Sequence, residues 1–431
     1  MDEAILQVGY ARMDITPTES VPLAGLGNTS KRMSTFVRDN LYTTCVAFTD
    51  GDGETALMFN MDLISAKPSE TQAIRDAIFE KFGIPHNRVM LSNTHSHSVP
   101  DTANTEKEYI QRYNAMKLRQ HVAAAEAALA DRKPAKMYVG RTTAERLNFI
   151  RHYKLDENGK PYAHTADPDP LLQMVKIVRE GGEDILMMNW QAHPCLGSHF
   201  DLHCVSADYI GEVRSYLEEK LNAKFIFFQG AAGNHNVRSK IKGECPTMDP
   251  ADYGKLLGYR AMVALSDLQP VAGGKVASVE RTLTLDIDHT EDHMLADAQT
   301  VVDFWKKTND RKATDAMAKQ YGINSPYHAG AILRRYKQPL TKEMTIYGVR
   351  VGDLGFACAP YEMFCDNGQF IRENSPYPVT FVVTCCNATH AYLASKLAFD
   401  YGCYEKDNRN FVRGTAEMVA DNFVEILKEM R

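Results

Sequence analysis

The sequence contains no long hydrophobic run. None of its apolar stretches approaches the ~18 residues of a membrane-spanning helix, so no transmembrane segment is expected. It also has no concentrated block of lysine and arginine, and its formal net charge is only -6 with histidine neutral, so we expect no nucleic-acid partner. The first residues, Met1 to Ala4, include two acidic side chains and lack the basic and apolar run of a secretion signal, which indicates a cytoplasmic protein.

Cysteine is not scarce, but the spacing of the cysteines argues against a zinc site built from them. No two of the nine cysteines stand in a C-x-x-C pair, so a cysteine zinc knuckle is not expected. The cysteines are scattered among strand-like segments, a pattern typical of buried thiols in a reducing compartment.

The overall composition is that of a soluble globular protein. Hydrophobic residues make up 44% of the chain and charged residues 24%, and 431 residues can bury a sizeable core. Strand-like runs and helical patterns are interleaved, with both hairpins and helical crossovers indicated. The predicted fold is therefore α/β, with mixed β-sheets flanked by helices. No repeat or strong boundary interrupts the chain, so we predict one domain over residues 1–431.

The first candidate site is His95-x-His97, directly after the predicted strand Val89 to Asn93. Alternate residues of a strand face the same way, so both rings could reach one cation. Spacing alone makes both histidines candidate ligands. The alternative is a pair of hydrogen-bonded loop histidines.

A second candidate is His193, where an apolar strand over residues 185–191 runs into His193-Pro194. Ligands commonly lie at strand ends in α/β proteins, although a hydrogen-bonded core histidine fits the pattern equally well. His199 and His203 follow in the same segment. They could form a second metal site, but a place in the pocket lining or on the surface is the favoured interpretation.

Three further segments follow predicted strands or carry polar side chains. Residues 229–236 form a small-residue loop whose backbone could approach a ligand or hold an oxyanion, or could be a tight turn. Glu362 lies near a helix start, where a carboxylate is usually a cap. Tyr392 and Tyr404 stand in segments where tyrosines normally serve packing.

Taken together, these segments resemble the neutral/alkaline ceramidase family. The opening Val8 to Pro17, followed by Leu23 to Gly25, is similar to the family's start, and Thr94 to Pro100 resembles its Thr-His-Thr-His-Ser-Gly-Pro. Tyr361 to Phe364 resembles its Gly-Glu-Phe segment, and residues 387–392 and 404–405 keep its spacing. The match runs in order from about residue 5 to the C-terminus. It covers the catalytic domain, and we expect no C-terminal immunoglobulin-like domain.

The resemblance implies a zinc site held by two histidines, a glutamate and a tyrosine. Matched motif by motif, these ligands are His95, His193, Glu362 and Tyr392. His97 is then a substrate-side residue that could shuttle a proton to the leaving group. The family also places an arginine and a second tyrosine near the scissile carbonyl, and here these are Arg151 and Tyr404.

One departure from the family affects the nucleophile. Ceramidases carry Gly-Asp-Val-Ser-Pro-Asn where this chain has residues 231–236, so the serine becomes Asn234. A water molecule activated by zinc does not require that serine. Asn234 and the Gly233 backbone could hold the oxyanion, with His235 and His199 near the substrate.

The sequence therefore predicts a zinc-dependent hydrolase that cleaves an amide or ester bond of a small molecule with metal-activated water. One alternative is a zinc hydrolase or lyase acting on a sugar or another small polar metabolite. The other is a non-catalytic binding protein that keeps the fold. The oligomeric state is left open.

Overall fold

The computed structural model describes residues 6–26, 32–102, 106–245 and 248–431. Its strands are β1 (Gln7–Asp14), β2 (Phe36–Val37), β3 (Tyr42–Thr49), β4 (Thr55–Met61), β5 (Val89–Asn93), β6 (Lys133–Thr143), β7 (Phe149–Ile150), β8 (Tyr153–Leu155), β9 (Pro161–His164), β10 (Leu171–Arg179), β11 (Ile185–Trp190), β12 (Cys204–Val205), β13 (Lys224–Gln229), β14 (His235–Asn236), β15 (Gln269–Val271), β16 (Val276–Asp286), β17 (Thr341–Val351), β18 (Leu354–Cys358), β19 (Glu362–Met363), β20 (Val379–Val383) and β21 (Tyr392–Leu393).

The helices are interleaved with these strands along the chain. They are α1 (Pro68–Phe82), α2 (Glu108–Ala130), α3 (Leu196–Phe200), α4 (Tyr209–Leu221), α5 (Pro250–Leu265), α6 (Leu295–Thr308), α7 (Arg311–Gln320), α8 (Pro326–Tyr336), α9 (Cys365–Asn374), α10 (Lys396–Tyr401), α11 (Tyr404–Asp407) and α12 (Thr415–Glu429). Within the described ranges, no helix has the length and apolar character needed to cross a membrane.

Two mixed sheets form the centre of the fold. The larger has the order β13-β11-β10-β6-β1-β3-β4-β5, with β15 also paired to β6. In it β4 runs parallel to β5 and β11 parallel to β13, while the other neighbours are antiparallel. The smaller sheet has the order β16-β17-β18-β20, and β18 and β20 are parallel. These mixed sheets with flanking helices confirm the predicted fold class.

The two sheets share one hydrophobic cluster between them. Strand β4 shows how the sequence builds it, since Met58 lies in this shared cluster while its neighbours Leu57 and Phe59 lie in the cluster beneath the helices. The alternation follows from the strand period of two. Phe228 of the larger sheet meets Phe356 of the smaller with ring centroids 5.8 Å apart. Both faces of the larger sheet are therefore buried.

Helices cover the outer face of each sheet. Helices α1 and α2 pack on the β1, β3 and β4 side of the larger sheet, and α4 and α5 pack on its β10, β11 and β13 side. Helices α9 and α12 cover the smaller sheet. Helices α6, α7 and α8 form a small cluster of their own. The single-domain organisation over residues 1–431 stays a prediction.

Two glycines let helices lie directly on the larger sheet. A Cβ on Gly9 would stand 1.9 Å from the carbonyl oxygen of Ala128 in α2, and one on Gly140 would stand 1.9 Å from that of Ala264 in α5. Any side chain at either position would force the helix away from the strand.

A buried histidine in α2 gives the fold a testable pH dependence. Burial lowers the pKa of His121 to about 4, while an unfolded chain has a histidine pKa of ~6.5. The stability that this group contributes is complete above pH ~6.5 and is lost as the pH falls toward 4, because the unfolded chain takes up the proton first. We expect His121→Gln to reduce the difference in unfolding free energy between pH 7.5 and pH 5 by roughly 2 kcal/mol. Urea unfolding at the two pH values measures this difference, and an identical pH dependence in both proteins would contradict it.

Candidate metal centre

The ends of four parallel-paired strands bring the candidate site together. His95 lies two residues beyond β5, and His193 three residues beyond β11. Glu362 begins β19, shortly after β18, and Tyr392 begins β21, after β20. Strands β19 and β21 are parallel, and their register pairs Glu362 with Tyr392. The predicted ligands therefore gather at one place although they come from distant parts of the chain.

Two histidine nitrogens point at one carboxylate oxygen. Nε2 of His95 lies 3.2 Å from Oε2 of Glu362, and Nε2 of His193 lies 3.1 Å from the same oxygen. The ring centroids of His95 and His193 are 5.0 Å apart. All three side chains are at least nine-tenths buried. His97 joins them, since one nitrogen from each of the three histidines lies within 4.8 Å of the others.

The opposite ring nitrogens fix the protonation of both ligands. Nδ1 of His95 lies 2.8 Å from the carbonyl oxygen of Ile64, and Nδ1 of His193 lies 2.8 Å from that of Ala232. A carbonyl oxygen only accepts, so each Nδ1 must carry the hydrogen. In a neutral ring Nε2 then presents a lone pair to the Glu362 carboxylate, which is repulsive unless a proton or a metal ion lies between the two atoms. This is the outer-shell arrangement typical of metal-binding histidines, so the residues fit a metal ion.

The protonation states of Glu362, His95 and His193 depend on one another. Burial raises the pKa of Glu362, but the neighbouring charge of His95 and the hydrogen bonds from both histidines outweigh it and hold that pKa well below its usual range. Burial lowers the pKa of His193, and the charge of Arg151 lowers it further. A metal ion would replace the proton that His95 carries beside Glu362, because an ionised carboxylate with neutral imidazoles is the donor set that zinc accepts.

Tyr392 completes the predicted ligand set beside a guanidinium group. The Arg151 guanidinium lies 5.2 Å from the centre of the Tyr392 ring. Burial raises the pKa of the Tyr392 phenol well above its ordinary value, and the charge of Glu362 raises it further, while Arg151 opposes the shift. A phenolate at this position therefore depends on nearby positive charge.

The His97 ring packs against the rings of His95 and His193. Among the described residues, neither of its buried ring nitrogens makes a hydrogen bond. Gly25 packs against this side chain, since a Cβ on Gly25 would lie 2.6 Å from the His97 Cβ, and its φ of +105° suits glycine. The ring is therefore fixed by packing while its nitrogens stay available to a ligand or a substrate.

Arg151 is held in place by Glu405. Its guanidinium forms an ion pair with the Glu405 carboxylate, and the other carboxylate oxygen lies 2.5 Å from Nε2 of His152. Glu405 is only 1% exposed. Tyr404, its neighbour in α11, is 50% exposed with its ring centroid 6.2 Å from that of Tyr392. The sequence predicted roles for Tyr404 and Arg151 but none for Glu405. The one sequence feature that pointed to Glu405 was its position next to Tyr404.

The loop after β13 supports the site through backbone groups and the Asn234 side chain. The Asn234 Oδ1 accepts a hydrogen bond from the Cys365 N–H at 2.9 Å, and the Gly233 N–H donates to the Met363 carbonyl at 2.7 Å. The His235 carbonyl lies 3.0 Å from Nδ1 of His193. These groups hold Glu362 and His193 in position, and the Gly233 N–H and the Asn234 carboxamide are already hydrogen-bonded.

The remaining predicted residue lies outside this cluster. His199 is exposed on the short helix α3. The structure thus brings together His95, His97, His193, Glu362, Tyr392, Arg151 and Tyr404, with Asn234, Gly233 and His235 beneath them, and leaves His199 on the surface.

Unusual backbone conformations concentrate around the same cluster. Non-glycine residues with positive φ include His95 at 67°, Cys385 at 51°, Asn387 at 66° and Ala391 at 65°. Such conformations cost energy and persist where surrounding contacts enforce them, commonly at functional sites.

The two mixed sheets with their flanking helices form a neutral-ceramidase-like fold. The structure of the neutral ceramidase from Pseudomonas aeruginosa matches 100% of this chain with a TM-score of 0.74 at 16% identity, over 75% of that chain. A ceramidase in complex with C2 matches 100% of this chain with a TM-score of 0.74 at 15% identity, over 76% of its own. No known family model matches the sequence. The resemblance predicted from the motifs is confirmed at the level of the fold.

Proposed function

We propose that this protein is a metal-dependent hydrolase that cleaves an amide or ester bond in a small molecule, with zinc as the expected metal. The observation that most directly supports a metal site is that His95 and His193 both direct Nε2 at one Glu362 oxygen. Backbone carbonyls hold the Nδ1 atoms of both rings. Tyr392, paired in register with Glu362, is the proposed fourth ligand. The fold shared with two ceramidases supports amide cleavage as the reaction.

The chain's own residues have separate roles in this proposal. Zinc in the site would supply Lewis acidity, which activates water and polarises a carbonyl group. Arg151 and Tyr404 donate hydrogen bonds to the substrate carbonyl oxygen as its negative charge grows. His97 accepts a proton from the attacking water and delivers it to the leaving group. Glu405 positions the Arg151 guanidinium.

The replacement of the family serine shapes the proposed substrate. Asn234 cannot act as a nucleophile, and its carboxamide oxygen accepts a hydrogen bond from the Cys365 backbone N–H. We therefore propose water as the nucleophile and a soluble acyl compound, such as an N-acyl amino acid or an acylated sugar, as the substrate. The cytoplasmic location expected from the sequence stays a prediction.

Hydrolysis with and without a chelator tests this function. N-acyl amino acids, aryl esters and short-chain ceramide are incubated with the zinc-loaded protein and with protein stripped of metal. We expect cleavage of at least one soluble acyl compound, loss of that activity on stripping, and recovery with zinc. Metal-independent cleavage would contradict the mechanism. Metal binding without cleavage of any acyl compound would favour the non-catalytic binding protein.

Tyr404→Phe tests the carbonyl-donor role. Removal of one hydrogen-bond donor to a developing oxyanion is expected to lower kcat about 10²-fold, with metal content unchanged because Tyr404 is not a proposed ligand. Tyr259→Phe is the control, since Tyr259 is 53% exposed on α5. Equal kcat values in the two variants would remove Tyr404 from the mechanism.

A further inference from the structure

A cavity lies between α1 and α2, and none of the candidate metal ligands lines it. Its volume is about 300 Å³, at the lower end for small-molecule sites. Apolar side chains form most of its wall, including Met61, Leu63, Ile74 and Leu118. Small exposed residues of the two helices, Ser69, Ala73 and Ala115, stand where it opens to solvent.

Three polar groups in this wall have unused hydrogen-bonding capacity. Lys117 is 5% exposed, and its ammonium group forms an ion pair with Oε2 of Glu70 at 3.8 Å, a distance too long for a hydrogen bond. Among the described residues, Oε1 of Glu70 and Oδ1 of Asn114 are buried without a hydrogen-bond partner. Buried polar groups are normally satisfied. The cavity therefore offers one cationic donor and two acceptors to whatever enters it.

The arrangement of these groups defines the ligand chemistry. A carboxylate on the ligand would complement the Lys117 ammonium, and an ammonium would complement Glu70 and Asn114. Hydrogen bonds between charged groups are about twice as strong as neutral ones. Lys117 and Glu70 form an ion pair with each other, so a ligand with only one charge would draw one partner away and leave the other uncompensated. The zwitterionic head of an α-amino acid carries both, and an aliphatic side chain matches the wall.

We propose that the α1–α2 cavity binds an α-amino acid with an aliphatic side chain. This site does not depend on the proposed hydrolase activity. One chain segment links it to the metal centre, because Leu63 lines the cavity while its carbonyl accepts the His95 N–H at 2.9 Å. The Ile64 carbonyl next to it holds Nδ1 of His95.

Calorimetric titration of the full chain with L-leucine tests the proposal. Matched probes are 4-methylpentanoate, which lacks the ammonium group, 3-methylbutylamine, which lacks the carboxylate, and glycine, which lacks the side chain. We expect leucine to bind and each of the other three to bind at least about tenfold more weakly. No binding of leucine, or equal binding of either single-charge analogue, would overturn the proposal.

Variants place the ligand in this cavity. Ala115→Leu obstructs the opening at an exposed position and is expected to abolish leucine binding without loss of thermal stability. The control is Ala130→Leu, exposed at the end of the same helix, which is expected to bind leucine normally. Lys117→Met and Glu70→Gln are each expected to weaken binding about tenfold or more. Unchanged affinity in Ala115→Leu would show that leucine binds elsewhere and would overturn the assignment.

Discussion

Replacement of Arg214 with methionine is expected to lower the free energy of unfolding by about 3–5 kcal/mol. Arg214 of α4 forms a bidentate pair with Asp62, with distances of 2.8 and 3.0 Å between the guanidinium nitrogens and the carboxylate oxygens. Their side chains are only 7% and 2% exposed. Loss of the guanidinium leaves a buried carboxylate whose remaining hydrogen-bond donor, within the described part of the chain, is the Tyr42 N–H. Equilibrium denaturation in urea measures the change.

Two further variants show that burial causes this loss. Arg112→Met breaks the pair with Glu19 on the surface, where the side chains are 59% and 46% exposed, and is expected to cost less than about 1 kcal/mol. Adding Asp62→Leu to Arg214→Met removes the uncompensated charge and is expected to restore part of the stability. If Arg214→Met costs no more than Arg112→Met, the buried pair does not stabilise the fold as described.

Replacement of His193 with alanine is expected to weaken zinc binding by more than about 100-fold, beyond the typical effect of losing an outer-shell partner. The same change is expected to remove hydrolytic activity. The physical reason is that one of four proposed ligands disappears while Glu362 remains buried nearby. Competition with a chelating dye measures the affinity.

His199→Ala is the matched control for that experiment. His199 lies six positions further along and is exposed on α3, so its loss should change neither zinc affinity nor activity. Zinc affinity in His193→Ala equal to that of His199→Ala would exclude His193 as a ligand.

Local patterns were sufficient to predict much of the fold. Residues 89–93 were predicted as a strand and form β5, because apolar residues buried on both faces make a short continuous run. The position of His95 just beyond that strand followed from the same pattern. From spacing alone, however, His97 was as good a candidate metal ligand as His95. Only the family resemblance assigned His95 as a ligand and His97 as a substrate-side residue.

Contacts between distant segments could not be predicted in this way. Glu405 meets His152 across 253 residues, and Asn234 meets Cys365 across 131. No periodicity or local motif encodes such pairs, because they arise only when helices and loops pack around the sheets. The same holds for the α1–α2 cavity, whose polar groups look like ordinary helix-surface residues in the sequence.

The central claim is that His95, His193, Glu362 and Tyr392 hold a metal ion. The most direct test is the metal content of the purified full chain by mass spectrometry, before and after incubation with zinc. Our account predicts about one zinc ion per chain, the stoichiometry of a four-ligand site. A protein that contains no metal and takes up none when zinc is added would contradict it.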